Sequence, residues 1–166
     1  VGCIYGRGDD HIRFGYFSDA CVAYMKHANC FPDVIHVHDW QTAPAIWSTD
    51  RPETTATALT IHNLQFGQDL IRRAMIECTF ATTVSPTYAE EIKHHPSINV
   101  IQEREPGKFK GIRNGIDNDI WDPYNDEFLP LRYDWQTCKE GKREAKLELL
   151  KRMRMDATDF ESKPIV

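Results

Sequence analysis

The sequence predicts an α/β fold, a Rossmann-like parallel sheet with helices between its strands, and three observations lead there. Apolar and β-branched runs of strand length recur roughly every 20–25 residues, with helix-period segments between them. Connections of that length suit right-handed crossovers between parallel strands, which deliver every strand end to one rim. Polar clusters stand where the runs stop: His36-Val37-His38-Asp39-Trp40, then Thr60-Ile61-His62-Asn63, then Asn114-Gly115-Ile116-Asp117 ahead of Trp121-Asp122-Pro123. Ligands of open parallel sheets bind at the carboxyl ends of the strands, so three such clusters on one rim make a site.

Each element has its own signal. From Ile12 to about Ala28 apolar residues fall at Phe14, Phe17, Cys21, Tyr24 and Met25, a helical period that leaves Lys26 and His27 outside. Pro32-Asp33 punctuates, and Val34 to His38 reads as a strand. Thr42 to Ser48 suits a short helix. Ala56 to Ile61 is the next strand, and Gln68 to Cys78 the next helix, inward at Leu70, Ile71, Ala74 and Met75. Phe80 to Val84 is a third strand. Ser85-Pro86 then opens a helix with an N-cap serine and proline at the first helical position. The polar stretch from His95 to Lys108 reads as a loop, and Phe109 to Ile112 as one more short strand. Asn118 to Pro130 reads as an ordered irregular connection. Lys139 to Met155 is a charged helix with Ala145, Leu149 and Met153 on one side.

Composition sets the class. The chain has 166 residues, 41% hydrophobic and 27% charged, with a net charge of −5, the profile of an ordinary globular domain. No basic stripe points to a nucleic-acid partner, and no apolar run has membrane-spanning length. The five cysteines, Cys3, Cys21, Cys30, Cys78 and Cys138, are odd in number and form no C-x-x-C pair. That argues against a disulfide framework or a zinc knuckle and for a reducing compartment. Cys21 and Cys78 read as small buried hydrophobes. The start at Val1 and the end at Lys163-Pro164-Ile165-Val166 suggest a piece of a longer polypeptide.

Taken singly, the clusters are ambiguous. His36 and His38 lie two apart on a strand and share a face, which with Asp39 raises a metal-hydrolase reading. His62 could join such a site, but Asn63 and Asn114 are poor ligands for the remaining positions. A strand-end His-Asp pair can also serve only to cap the following helix, and Asn-Gly is an ordinary turn dipeptide. Trp40, Trp121 and Trp135 are by default packing residues.

Together and in this order, the segments resemble the starch and glycogen synthases. The resemblance rests on H-x-H-D-W, T-I-H-N-L-x-F-G (Thr60 to Gly67), T-V-S-P-T-Y-A-E-E-I (Thr83 to Ile92) and K-F-x-G-I-x-N-G-I-D-x-D-I-W-D-P (Lys108 to Pro123), with Ile4-Tyr5-Gly6 and Arg13-Phe14-Gly15 upstream. The form of the second segment and Trp121 to Asp126 look most like the plant class III soluble enzymes. The resemblance implies the later part of the amino-terminal, acceptor-side domain of a GT-B glycosyltransferase over residues 1–130. It implies an interdomain linker and helix over 131–162, and the start of the nucleotide-binding domain at 163–166. The family's Lys-x-Gly-Gly-Leu phosphate loop and its carboxyl-terminal domain are not in the sequence.

The implied reaction moves glucose from ADP-glucose to the 4-hydroxyl of an α-1,4-glucan with retention, without cofactor or metal. By the same match Asp39 and His62 are the catalytic residues: Asp39 orients acceptor and glucose, and His62 contacts the transferred sugar through its imidazole and main chain. His38, Trp40, Asn63 and Asn114 are implied to bind substrate, and Tyr5 to stack near the nucleotide. The implied setting is a plastid, or the cytoplasm of a bacterium, with other starch-synthesis enzymes as partners. The alternative is a non-catalytic domain that binds glucan or a partner synthase.

Overall fold

The computed structural model describes residues 2–102, 104–155 and 163–165. Two compact units divide between Asn114 and Gly115. In the first, helix α1 (Asp10–His27) leads into strand β1 (Val34–His38), then α2 (Asp39–Thr42) and a 3-10 helix (Ala43–Trp47). Strand β2 (Ala56–Ile61), α3 (Gln68–Glu77), β3 (Phe80–Thr83), α4 (Pro86–Ile92), α5 (Pro96–Gln102) and β4 (Phe109–Gly111) complete it. All strand pairs are parallel, in the order β1-β2-β3-β4. His38 lies opposite Thr60, Ile61 opposite Thr83, and Thr83 opposite Gly111. The carboxyl ends therefore share one rim, as the crossover argument expects.

One face of the sheet carries the core. Ile35, Val37, Leu59, Ile61 and Ala81 are buried there with Ile71, Ala74 and Met75 of α3, the period-2 and period-3.6 patterns meeting in one layer. The other face is polar at its middle. There His36 Nε2 and Thr60 Oγ1 are 2.7 Å apart, and Thr60 Oγ1 and Thr82 Oγ1 are also 2.7 Å apart. Helix α4 starts as its sequence dictates, with Ser85 Oγ accepting from the Tyr88 N–H at 3.0 Å and Pro86 in the first turn.

Gly111 has no room for a side chain. A Cβ there would stand 2.2 Å from the carbonyl oxygen of Ser85 and 2.5 Å from Pro86 Cα. Both are backbone atoms at the start of α4, so neither can rotate away. Gly111→Ala is expected to cost about 2–3 kcal/mol, read as a lower urea midpoint with an unchanged m-value.

Four expectations need correction. The stretch from His95 to Lys108 is not all loop, because α5 occupies Pro96–Gln102. Proline suits the first helical turn, where its missing N–H costs nothing. Ile98 and Ile101 form a buried pair one turn apart, and Ser97 Oγ donates to the Gln68 carbonyl at 3.0 Å. In α1, Phe17 and Tyr24 are exposed at 53% and 71%, while Ser18 and Val22 are the buried residues. Ser18 tolerates burial because its hydroxyl donates to the Phe14 carbonyl at 2.9 Å and reaches that of Gln41 at 3.2 Å. The expected helix over Thr42 to Ser48 begins earlier, at Asp39, and tightens to 3-10 geometry where Pro44 removes an N–H from the ladder.

The fourth concerns the second unit, which holds irregular turns and α6 (Cys138–Arg152). In α6 Leu150 is buried, whereas Leu149 and Met153 are exposed at 46% and 64%. The inward stripe lies about 100° round from the expected one, and the Tyr133 ring packs against Gly141 in the first turn. The irregular connection before α6 is ordered by aspartates. Asp117 Oδ1 accepts from the N–H groups of Asp119 and Ile120, Asp122 Oδ1 from Tyr124, and Asp126 Oδ1 from Phe128. These are side-chain mimics of a backbone turn. Residues 156–162 of the expected linker, and Val166 of the expected next strand, lie outside the described residues.

The described cysteines are free thiols. Cys78 is buried, and burial pushes its thiol up to about 11, while Cys21 is half-buried. Among the described residues no helix is long and apolar enough to cross a membrane.

Candidate functional site

The site grows out of the ends of β1 and β2. Immediately after β1 the chain reverses at Asp39, whose φ of +53° is a left-handed conformation. Such a backbone costs a non-glycine residue roughly 1–2 kcal/mol and persists only where the surroundings hold it. It turns the carboxylate across the rim, and Asp39 Oδ1 accepts from the His62 N–H at 2.7 Å. The first two strand-end clusters are thereby tied together. Above them the imidazoles of His36 and His38 lie with centroids 4.4 Å apart, and His38 Nδ1 is 3.0 Å from His62 Nε2.

This crowding has an electrostatic consequence. Partial burial of the ring, then repulsion from His36 and His62, hold the His38 imidazole below its ordinary 6.5, with Asp39 pulling the other way. A histidine whose folded value is depressed contributes stability that is present above 6.5 and lost as pH falls through the folded value. An NMR titration of the ring is expected to place His38 below 6.5, and His36→Asn to move it upward. A midpoint that His36→Asn leaves in place would show that the rings do not interact.

Tyr5, Asp39, Trp40 and Asn63 line a single cavity of about 630 Å³ together with Asp10 and Phe66. Phe14 joins two of its lining rings: Tyr5 to Phe14 is 5.8 Å between centroids, and Phe14 meets Trp40 edge-on at 5.3 Å. Trp40 rests directly on Gly67, the left-handed residue (φ +62°) that precedes α3. The segment bearing Tyr5 is pinned by Asp10. Asp10 Oδ2 accepts from the N–H groups of Gly6 and Arg7 at 2.8 and 3.2 Å. Asp10 Oδ1 accepts from Arg13 Nη1 at 2.8 Å, and the same nitrogen reaches the Ile4 carbonyl at 3.2 Å. On the far side Asn63 Oδ1 accepts from the Gln65 N–H at 3.2 Å, and the Leu64 N–H donates to Tyr88 Oη at 3.2 Å.

Of the seven residues the sequence nominated, Tyr5, Asp39, Trp40 and Asn63 thus share the cavity, with His38 and His62 bonded beside it. Asn114 follows β4 on the same rim, exposed, and does not line the cavity. Sequence reasoning gave no role to Asp10, Arg13 or Phe66. The Arg13 and Phe66 positions lie inside the quoted segments, but the braces they join are visible only in space.

Among the described residues no three His, Cys, Asp or Glu side chains converge so as to hold a metal. His36 Nε2 is engaged by Thr60, and His38 Nδ1 by His62. What the rim offers is a charged carboxylate held in place, imidazole and amide groups that both donate and accept, and an aromatic wall. That combination suits a polyhydroxylated ligand.

The family profile described as starch synthase catalytic domain matches residues 1–72. Over 165 residues, 96% of its length, the chain is 44% identical to "Starch synthase 3, chloroplastic/amyloplastic" of Arabidopsis thaliana and covers 16% of that protein. It is 30% identical to "Glycogen synthase 1" of Synechococcus sp. (strain JA-3-3Ab), with 99% of the chain and 41% of the relative aligned. Among solved structures it resembles the catalytic domain of starch synthase IV from Arabidopsis thaliana bound to ADP and acarbose. The TM-score is 0.75 at 30% identity, covering 89% of this chain and 38% of that one. The chain spans well under half the length of each of these relatives. Their synthase names do not favour the purely glucan-binding alternative. The parallel α/β sheet is part of a GT-B fold, and the chain belongs to the starch synthase catalytic-domain family.

Proposed function

We propose that the chain is the acceptor-side part of a starch synthase, which moves glucose from ADP-glucose to the non-reducing 4-hydroxyl of an α-1,4-glucan with retention. The observation that carries this is the Asp39 carboxylate, fixed by the His62 N–H at the edge of the aromatic cavity. The transition state of glucosyl transfer has oxocarbenium character while ADP departs with negative charge, so prearranged electrostatics supply most of the rate. With Oδ1 committed to His62, Asp39 presents Oδ2 to a sugar hydroxyl and orients acceptor and glucose for in-line approach. His62 spends its N–H on Asp39 and its Nε2 on His38. It meets the transferred glucose through Nδ1 and its carbonyl. Trp40 gives an apolar face to a glucan ring, Asn63 and Asn114 hold hydroxyls, and Tyr5 stacks near the nucleotide.

In this reading residues 1–130 belong to the acceptor-side domain, 131–162 link it onward, and 163–166 begin the nucleotide-binding domain. The chloroplastic and amyloplastic names of the plant relatives support a plastid setting.

The test is a chimera in which this chain replaces the aligned segment of the Arabidopsis starch synthase 3. Labelled glucose is followed from ADP-glucose into glycogen. Transfer by the chimera and none by the 166-residue chain alone is the expected result. A folded chimera that binds ADP yet transfers nothing, beside an active parent, would overturn the proposal.

A further inference from the structure

We infer that Thr42 is a positioning residue of this site, its hydroxyl clamping the turn that aims Asp39 at His62. The inference deepens the reading just given and rests on it for its kinetic consequence. The Thr42 hydroxyl bonds both main-chain groups of His38: Oγ1 accepts from the His38 N–H at 2.6 Å and donates to the His38 carbonyl at 2.7 Å. A threonine in a helix commonly bonds back to the carbonyl four residues earlier. Here the same oxygen also takes the N–H, so the two peptide units that flank His38 at the end of β1 are held by one side chain.

The position of that clamp gives it its consequence. His38 ends β1 and Asp39 is the left-handed residue that follows, so the clamp sits at the hinge of the strained turn. Two contacts that define the rim are set by that hinge: Asp39 Oδ1 to the His62 N–H at 2.7 Å, and His38 Nδ1 to His62 Nε2 at 3.0 Å. Behind it Ala43 is fully buried and anchors the far end of the turn. Without the hydroxyl, the exposed His38 main-chain groups turn to water. The left-handed Asp39 then has less to hold it, and its carboxylate samples positions away from His62. Catalysis is sensitive to displacements of this kind even where binding is not.

Thr42→Val keeps the shape of the side chain and removes the hydroxyl, and Thr42→Ser keeps the hydroxyl. Amide exchange measured by NMR on the whole chain is expected to show the His62 amide exchanging about tenfold faster in Thr42→Val, with Leu59 at the centre of β2 unchanged and Thr42→Ser like the parent. In the chimera, Thr42→Val is expected to lower kcat about tenfold with KM for glycogen within about twofold, and Thr42→Ser to recover most of the turnover. Unchanged His62 exchange in Thr42→Val overturns the inference, as does failure of serine to rescue. Loss of Leu59 protection as well would mark general unfolding and equally count against a local clamp. A chimera inactive with Thr42 in place would defeat the proposed function, while the exchange data would still decide the clamp.

Discussion

Asp39→Ala in the chimera is expected to reduce glucose transfer at least a hundredfold, in the range found when a prearranged charged or hydrogen-bonding group is removed from a transition state. The loss has two sources. The carboxylate disappears from the cavity edge, and the His62 N–H loses the acceptor that holds it at 2.7 Å, so the second strand end is released from the first. Asp39→Asn separates them. Asparagine tolerates the left-handed backbone and keeps an oxygen for the His62 N–H, so only the charge is lost. An intermediate loss of about tenfold is expected. Initial rates with labelled ADP-glucose measure both variants, with a thermal midpoint to show that each is folded. A folded Asp39→Ala enzyme within tenfold of the parent rate would remove Asp39 from the catalytic role.

Asp39 stands directly after β1, and a parallel sheet makes such strand ends legible in sequence. Val34–His38 and Ala56–Ile61 are observed with the bounds their sequence suggests, since a buried apolar run bounded by turn residues leaves few alternatives. Helix α5 was harder to read, because Ile98 and Ile101 are the only strong apolar pair in a polar stretch and their burial depends on α3 beside them. Faces were less legible than bounds. In α1 apolar residues surround the helix, and in α6 Leu149 and Leu150 stand side by side, so periodicity does not say which stripe turns inward. Ser18 and Leu150 are buried by what lies against them.

The site shows the same division. Polar clusters at strand ends announce a ligand site without naming its ligand, and the ordered segments supply the family. The contacts that aim those residues are not periodic. Asp10 bracing Gly6 and Arg7, and Asp39 crossing to His62, join positions whose spacing carries no signal. The left-handed backbone of Asp39 is likewise silent in sequence, because aspartate occurs in every region of the backbone map.

Gly67 supplies the second large effect. A Cβ at this position would lie 2.2 Å from both Cβ and Cγ of Trp40. These atoms stand at the root of the side chain and cannot swing aside, so either α2 or the start of α3 must move. The φ of +62° adds a left-handed penalty that glycine escapes. Gly67→Ala is therefore expected to cost about 2–4 kcal/mol, combining overpacking with backbone strain, and to displace Trp40 from the cavity wall. Urea unfolding of the chain measures the first consequence, and a rise in KM for glycogen in the chimera the second. A double-mutant cycle with Trp40→Gly isolates the contact. With the indole and its Cβ gone, only the backbone penalty of about 1 kcal/mol remains for Gly67→Ala. Equal costs in both backgrounds would mean that Trp40 does not need the glycine, and the aromatic wall would have to be held in place by Phe14 alone.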